Sequence, residues 1–553
     1  MKQVRNTGER LPLSAKEVAT ICMARLRSLA AGLPKAIQDR FVHLLLHALE
    51  PQWYSGFQPE GTSQRTSLSP DDLATMSDKD IIERAPAGTI PTGFLFAVPE
   101  WFKFRRRPIF HPKELNDWVH GWFKSMLNLK RTQTKIAESL QGGHAVAFDL
   151  KCSFFQVELD ASVRNHYTFL DQEGNVWRFK RMVMGAVVSA ELMHMILEIL
   201  AFANMPPRLL ARLTISTHID NVRAIGTVHD TQKWAELFQR NCQYVGATLN
   251  DEAVNTPHTK GDWCGILYDY EGKNVCLAES TKSKIELLAD RIRDPSLTVR
   301  EFLALEAKLR YASEVLALHP AQFYYVIKFA RRLAKRQLDA PANIWPSIIP
   351  TLHTWAQLVL LNVPRPVKAQ QNRPMVLFSD ASMEGYGGVL ITGDGEVLTT
   401  GRTFSEHERF LQNESIRSIN NLEDLALVLN LYDFKDLLVD QDVLLVVDNT
   451  TTIADTNKQS SKSFDRNLLM HKANDVLITV RSWSVHYINT ALNPADAPSR
   501  GRHCAPSVTQ LASAVVGGPQ VHHQDHPPSS YSVTHDASQC PWLSVYPVSL
   551  PVY

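Results

Sequence analysis

The 553-residue sequence is poor in cysteine, has no long apolar run, and carries no excess of either charge. Its seven cysteines (Cys22, Cys152, Cys242, Cys264, Cys276, Cys504 and Cys540) form no C-x-x-C pair, so neither a zinc ribbon nor a disulfide scaffold is indicated. A reducing compartment is expected. No stretch of about 18 apolar residues occurs, so no membrane span is expected. The opening M-K-Q-V-R-N-T-G-E-R lacks the apolar segment of a signal peptide; an intracellular location, nucleus or cytoplasm, is expected. Lys and Arg total 58 against 57 Asp and Glu, so affinity for nucleic acid has to come from local clusters. No internal repeat is visible.

What is present is ordinary globular composition, 44% hydrophobic and 21% charged, in a chain long enough for roughly three to four domains. Residues 1–90 show helical periodicity over Val18–Leu33 and Ala36–Leu49 and then a polar stretch, Gly61–Asp72. From 91 to 290, short β-rich runs alternate with helical ones, as in a mixed α/β core. Residues 291–372 read as helices, broken near His319-Pro320 and Asp339-Ala340-Pro341, followed by the connector Val363-Pro364-Arg365-Pro366. A second α/β pattern fills 373–502. The tail, 503–553, is rich in His, Pro and Ser and reads as disordered. Its His503, Cys504, His522, His523, His526, His535 and Cys540 match no compact zinc-ligand spacing.

Two short stretches carry the candidate chemistry of the first half. In H-A-V-A-F-D-L-K-C-S-F-F-Q, Ala145–Phe148 reads as a buried strand with Asp149 at its carboxyl end. In S-T-H-I-D-N-V-R-A-I-G, two short strands flank a tight turn with Asp220 and Asn221 at its tip. Taken singly, Asp149 is a helix cap and Asp220 a turn former. Taken together, two strand-end carboxylates meet the need of two-metal phosphoryl transfer, in which carboxylates hold two Mg²⁺ ions astride the attacking and leaving oxygens.

F-D-L-K-C-S-F-F-Q resembles the first palm motif of retroelement reverse transcriptases, and Thr168–Met193 resembles the segment whose glycine makes room for template and nucleotide. Met184, Gly185 and Ser189 are the matching positions. H-I-D-N (His218–Asn221) sits where the family has an aromatic, a variable residue and two aspartates. Cys242–Glu252 and Trp263–Asp269 resemble the late palm and primer-grip segments, and Phe94–Asn116 the finger strands. The resemblance implies fingers, palm and thumb, with Asp149, Asp220 and the Leu150 carbonyl as metal ligands. In the family, the first aspartate of the pair makes the main metal contact. Phe154 matches the position that excludes a ribose 2′-hydroxyl, with simple core packing as the alternative. Lys103, Arg105 and Arg107 offer cations for a triphosphate; as a bare charge run, R-R-R is also an ordinary solvated face.

The second half repeats the logic with four carboxylates. Asp380 ends the strand of P-M-V-L-F-S-D-A-S, Glu423 lies near the start of the helix Asn421–Leu431, Asp448 follows the strand of D-V-L-L-V-V-D, and Asp496 sits in N-P-A-D-A-P-S-R. Each alone is explained as a cap or a turn. Their order on strand, helix, strand and loop resembles ribonuclease H, which cuts RNA in an RNA–DNA hybrid with two divalent ions. D-A-S, D-N-T-T and N-P-A-D-A-P-S-R look closest to tyrosine-recombinase retrotransposons of the DIRS and VIPER kind, over about 91–502. The implied architecture is a multidomain α/β and α+β chain, a reverse transcriptase followed by an RNase H-like mixed-sheet domain. The implied cofactors are two Mg²⁺ (or Mn²⁺) ions per site. The implied partners are an RNA template, a DNA primer, their hybrid and dNTPs. Lys328, Arg331, Arg332, Lys335 and Arg336 recur at helical spacing and are expected to share one face that tracks phosphates or simply meets solvent. Asn221 in place of the second aspartate leaves two alternatives open: a decayed polymerase with RNase H activity alone, or a nucleic-acid-binding protein without catalysis.

Overall fold

A computed structural model describes residues 11–15, 19–100, 104–368, 374–404 and 419–503. Lys103 and the tail histidines and cysteines from Cys504 onward lie outside them. The chain divides into two compact units, one of residues 1–284 with 363–367, the other of residues 285–362 with 368–553.

In the first unit, helices α1 (Met23–Ala30) and α2 (Lys35–Leu49) precede a three-stranded sheet and a hairpin. The sheet orders β1 (Ile82–Arg84), β6 (Val176–Phe179) and β5 (Thr168–Leu170); the hairpin pairs β2 (Phe94–Glu100) with β3 (Arg105–His111). A second three-stranded sheet places β4 (His144–Asp149) beside β8 (Asn221–Gly226) and β8 beside β7 (Thr214–His218), all antiparallel. The strands β9 (Lys260–Trp263), β10 (Ile266–Asp269), β11 (Asn274–Leu277) and β12 (Arg365–Pro366) form a four-stranded sheet. The short helix α3 (Thr132–Glu138) precedes β4.

The β4–β8–β7 sheet is the element that positions the site. Its back face carries Phe148 and Val222, which pack with Trp234 and Phe238 of helix α5 (Val228–Val245) in one large core. Helix α4 (Val187–Phe202) joins that core with apolar residues on nearly every side, the pattern of a fully buried helix. The front face carries Asp149, Asn221 and His218 in one row, because these residues are register partners. Thr227 caps α5 by accepting the Asp230 amide at 3.1 Å, and Gly246 at φ +82° ends it.

The second unit contains helices α6 (Val299–Leu316), α7 (Tyr324–Leu333) and α8 (Ile349–Leu360). Trp355 stacks on Phe323 at 4.5 Å and donates to Ser313 Oγ at 2.8 Å, which fastens α8 to α6. The same unit holds a five-stranded mixed sheet ordered β15 (Val397–Thr403), β14 (Gly385–Ile391), β13 (Met375–Ala381), β16 (Asp442–Val447) and β17 (Ser482–Tyr487). The first three strands are antiparallel; β16 and β17 join in parallel. Leu377 and Ala381 face helices α9 (Ile419–Asp433) and α11 (Phe464–Leu477), while Val376 and Phe378 face Ile488 and Ala495 on the other side. This strand is buried on both faces, hence its unbroken apolar run.

Helix α7 corrects one expectation. It stops at Leu333, so Lys335 and Arg336 lie in the turn beyond it rather than on its face. Lys328 sits over Tyr324, Arg331 donates to the Ser461 carbonyl at 3.3 Å, and Arg332 covers Trp345. Lys328, Arg331 and Arg332 keep their helical spacing on α7, whereas Lys335 and Arg336 leave it.

Glycine is required where strand β14 meets the turn helix α12 (Asp496–Ser499). A Cβ on Gly387 would lie 2.3 Å from Ser499 N and 2.5 Å from the Ala495 carbonyl oxygen. Gly387→Ala is therefore expected to destabilise this unit by roughly 1–3 kcal/mol and to push the Asp496 segment off the sheet. Thermal unfolding checks the stability loss, and a variant as stable as the parent would contradict this packing.

Candidate active sites

The second unit brings Asp380, Glu423 and Asp448 together: each offers a carboxylate oxygen, and these atoms lie within 4.8 Å of one another. Three different elements deliver them. Asp380 is the penultimate residue of β13, Glu423 lies in the first turns of α9, and Asp448 follows the last residue of β16. Asn449 then turns the chain into helix α10 (Thr450–Lys458) by accepting the Thr451 and Thr452 amides at 2.8 and 3.1 Å. Helix α9 is pinned over the sheet by the buried Asn430, whose amide donates to Ser379 Oγ at 2.8 Å and to the Gly387 carbonyl at 2.9 Å.

Asp496 stands beside this trio. It is not one of the clustered three; Arg500 holds its Oδ1 at 3.0 Å, yet its charge still reaches Asp380. Ser499 donates to Asp380 Oδ2 at 2.6 Å. Ser499 and Arg500, both in the A-P-S-R stretch, are partners that the sequence pattern alone does not single out.

The electrostatics of the cluster call for a cation. Burial, with repulsion from Asp380 and Asp448, raises the Glu423 carboxyl to about 9, and burial raises Asp380 to about 6. Glu423 Oε2 is buried without a hydrogen-bond partner. Crowded hard oxygen donors and an orphaned buried carboxylate oxygen are the donor set that a divalent cation such as Mg²⁺ fits.

The folded-state value of Glu423 lies above its ordinary 4.5, so the folded state holds an extra proton between about 4.5 and 9. Without a divalent cation, the stability of this unit is expected to fall as pH rises through that window. Saturating Mg²⁺ should displace the proton, flatten the slope and raise the melting temperature. Melting curves from pH 5 to 9, with and without Mg²⁺, check this; identical slopes would contradict a metal-holding cluster.

The first unit places Asp149 and Asp220 at one end of the β4–β8–β7 sheet. The backbone amide of Leu150 donates to the Asp220 carbonyl at 3.1 Å, tying the two segments. Ile219, in the tight turn between β7 and β8, has φ +59°. A β-branched residue at positive φ is strained, and such strain collects at functional turns. The His194 imidazole anchors that turn, accepting the Ile219 amide at Nδ1 over 3.2 Å.

Both carboxylates are held by neutral donors. Asn250 Nδ2 donates to Asp149 Oδ2 at 2.7 Å. Asn221 Nδ2 donates to Asp220 Oδ1 at 2.9 Å, and Ser153 Oγ to Asp220 Oδ2 at 3.0 Å. Sequence reasoning missed Ser153 and Asn250 as partners. The turn residue Cys264, between β9 and β10, has its thiol raised to about 11, first by burial; Lys135, Arg223, Asp220 and Asp149 all reach it. Burial, then the charge of Lys135, depresses His218 to about 4, so it is a neutral imidazole near pH 7.

The remaining candidates divide by partner. Arg105 and Arg107 both pair with Glu100, at 2.5 and 2.8 Å, and Arg106 forks onto Asp72 at 2.6 and 2.9 Å. Arg107 also contacts Met184 Sδ at 3.8 Å. Phe154 is buried in the core and Ser189 is buried on α4. At Gly185 (φ +117°) a Cβ would lie 1.9 Å from the Phe110 carbonyl oxygen, so only glycine lets this turn approach β3.

No protein-family model matches this sequence, and no curated protein matches it. Among solved structures, the chain is similar to foamy viral protease-reverse transcriptase. In complex with dsDNA the TM-score is 0.44 at 13% identity, over 86% of this chain and 99% of that one. In complex with an RNA/DNA hybrid the TM-score is 0.43 at 12% identity, over 86% and 64%. A dRH form with ds DNA gives 0.41 at 12% identity, over 86% and 83%. Among the described residues no helix is long and apolar enough to cross a membrane.

Proposed function

We propose that this chain is a two-site nucleic-acid enzyme of the retroelement reverse transcriptase kind, related to the tyrosine-recombinase retrotransposons. Its RNase H centre consists of Asp380, Glu423, Asp448 and Asp496, and its polymerase centre of Asp149 and Asp220. The observation that carries the reading is the convergence of three carboxylates, from a strand end, a helix and a second strand end, within 4.8 Å. Asp380, Glu423 and Asp448 would hold Mg²⁺, with Asp496 completing the group from the loop. The bound ions supply an activated water and neutralise charge at the scissile phosphate. Of the chain's own groups, Ser499 orients Asp380, Asn430 fixes the helix that carries Glu423, and Arg500 restrains Asp496. At the other site, Asn250 and Ser153 orient the two aspartates for an RNA template, a DNA primer and dNTPs.

The test is a labelled RNA–DNA hybrid incubated with Mg²⁺, alongside primer extension on an RNA template. Cleavage that needs the ion and stops with EDTA supports the reading; a hybrid left intact with both Mg²⁺ and Mn²⁺ contradicts it. A second reading, RNase H without polymerase, is favoured by one observation: Asn221 stands beside Asp220 and occupies one of its oxygens.

A further inference from the structure

Lys135, on helix α3, is 8% exposed. Its ammonium has no carboxylate at ion-pair distance and no hydrogen-bond acceptor among the described residues; its contact is the face of Trp263, 5.7 Å away. Its stem is buried against the protein, while the ammonium at its end stays within reach of solvent and of an external anion. Glu138 already serves two nearby cations, Lys130 and Arg223, and Arg223 Nε is still buried without a partner. Glu138 takes Lys130 and the Ser216 hydroxyl and lies 3.5 Å from Arg223, which is itself boxed by Trp263 and Tyr268 at 4.1 and 4.4 Å. Glu138 is thus spent, and Lys135 is left over.

The place of Lys135 gives its charge a direction. The Trp263 ring under Lys135 lies 6.5 Å from the His218 ring. His218 shares the front row of the sheet with Asn221 and Asp149, and His218 Nδ1 is also buried without a partner. The Lys135 backbone is fixed independently of its side chain, since its carbonyl accepts Arg223 Nη2 at 2.9 Å. An ammonium whose charge reaches His218, in the same row as Asp149, repels a dication and attracts an oxyanion. Resting on the polymerase reading, we propose that Lys135 binds a phosphate oxyanion of the substrate at the Asp149–Asp220 end of the sheet. The source is either the phosphodiester of the strand held there or the triphosphate of the nucleotide.

The test compares Lys135→Gln and Lys135→Arg with the parent in the full chain. Binding of a DNA primer annealed to an RNA template is read by fluorescence anisotropy across a KCl series, in EDTA so that no strand is cut. A second arm reads binding of mant-labelled dATP. For a strand phosphate, Lys135→Gln is expected to weaken duplex binding roughly tenfold and to make the log–log salt slope shallower by about 0.9. Lys135→Arg should keep both, which separates lost charge from lost folding. Loss confined to the dATP arm assigns the site to the triphosphate. If Lys135→Gln binds duplex and dATP as the parent does, the assignment is overturned. If the parent binds no duplex, the polymerase reading falls, and this assignment with it.

Discussion

Asp448→Asn is expected to reduce cleavage of an RNA–DNA hybrid by at least about a hundredfold while leaving primer extension unchanged. The first half of that expectation comes from crowding. Asp380, Glu423 and Asp448 share one cluster, and their mutual repulsion already pushes Glu423 up to about 9. Removing one charge relieves the repulsion, so Glu423 should titrate lower and the cluster should become more stable without metal. The same change removes a hard anionic oxygen from the donor set, which weakens the hold on a dication. Gain in stability with loss of cleavage is therefore the expected signature, and simple unfolding would give the opposite stability change. The second half comes from architecture, since Asp149 and Asp220 belong to the other compact unit. Undiminished cleavage by Asp448→Asn would place the site elsewhere. Asp380→Asn should behave alike, whereas Ser499→Ala, which removes only the 2.6 Å donor to Asp380, should cost less.

The strands that deliver carboxylates were legible because a buried strand leaves an apolar run with a polar residue where it ends. Ala145–Phe148 and Pro374–Ser382 read that way, and the structure has strands at His144–Asp149 and Met375–Ala381. The helix bearing Glu423 was also legible, since Leu422, Ala426 and Leu429 keep helical spacing; the helix runs Ile419–Asp433 and buries every residue from Leu422 to Leu431. What periodicity could not reveal is which distant group satisfies which carboxylate. Asn250, Ser153 and Ser499 are short polar residues in turns and loops, unremarkable until the fold brings them to Asp149, Asp220 and Asp380. The end of α7 was misread for a tertiary reason. Arg300 and Val299, at the start of α6, donate to the carbonyls of Leu338 and Ala340, and Ala342 donates to the Leu297 carbonyl. That extended crossing requires the chain to leave the helix before Leu338, against the helical preference of Lys335 and Arg336.

Asn221→Asp is expected to raise primer extension by roughly 5- to 150-fold, and Asp220→Asn or Asp149→Asn to abolish it. Asn221 faces Asp149 across the β4–β8 pair and donates its amide to Asp220 Oδ1 at 2.9 Å. It thus acts twice against a metal-binding role for this turn: it supplies no charge, and it occupies a lone pair that Asp220 would offer. A carboxylate at this position removes that donor and adds a third negative charge beside Asp149 and Asp220. At about 4 Å and an effective dielectric near 20, one unit-charge interaction is worth roughly 4 kcal/mol. A residue beside the principal ligand sits farther from the ion, so about 1–3 kcal/mol is the expected return, which converts to the stated range of rates. The substitution carries a cost, because the introduced carboxylate and Asp220 would repel one another in a turn already strained at Ile219. Without a divalent cation, Asn221→Asp should therefore melt lower than the parent, and Mg²⁺ should recover part of that loss. Extension unaffected by Asp220→Asn would reduce Asp220 to a turn residue. If no variant extended a primer, Asn221→Asp included, the first unit would be a polymerase fold without polymerase chemistry, and hybrid cleavage in the second unit would be the remaining activity.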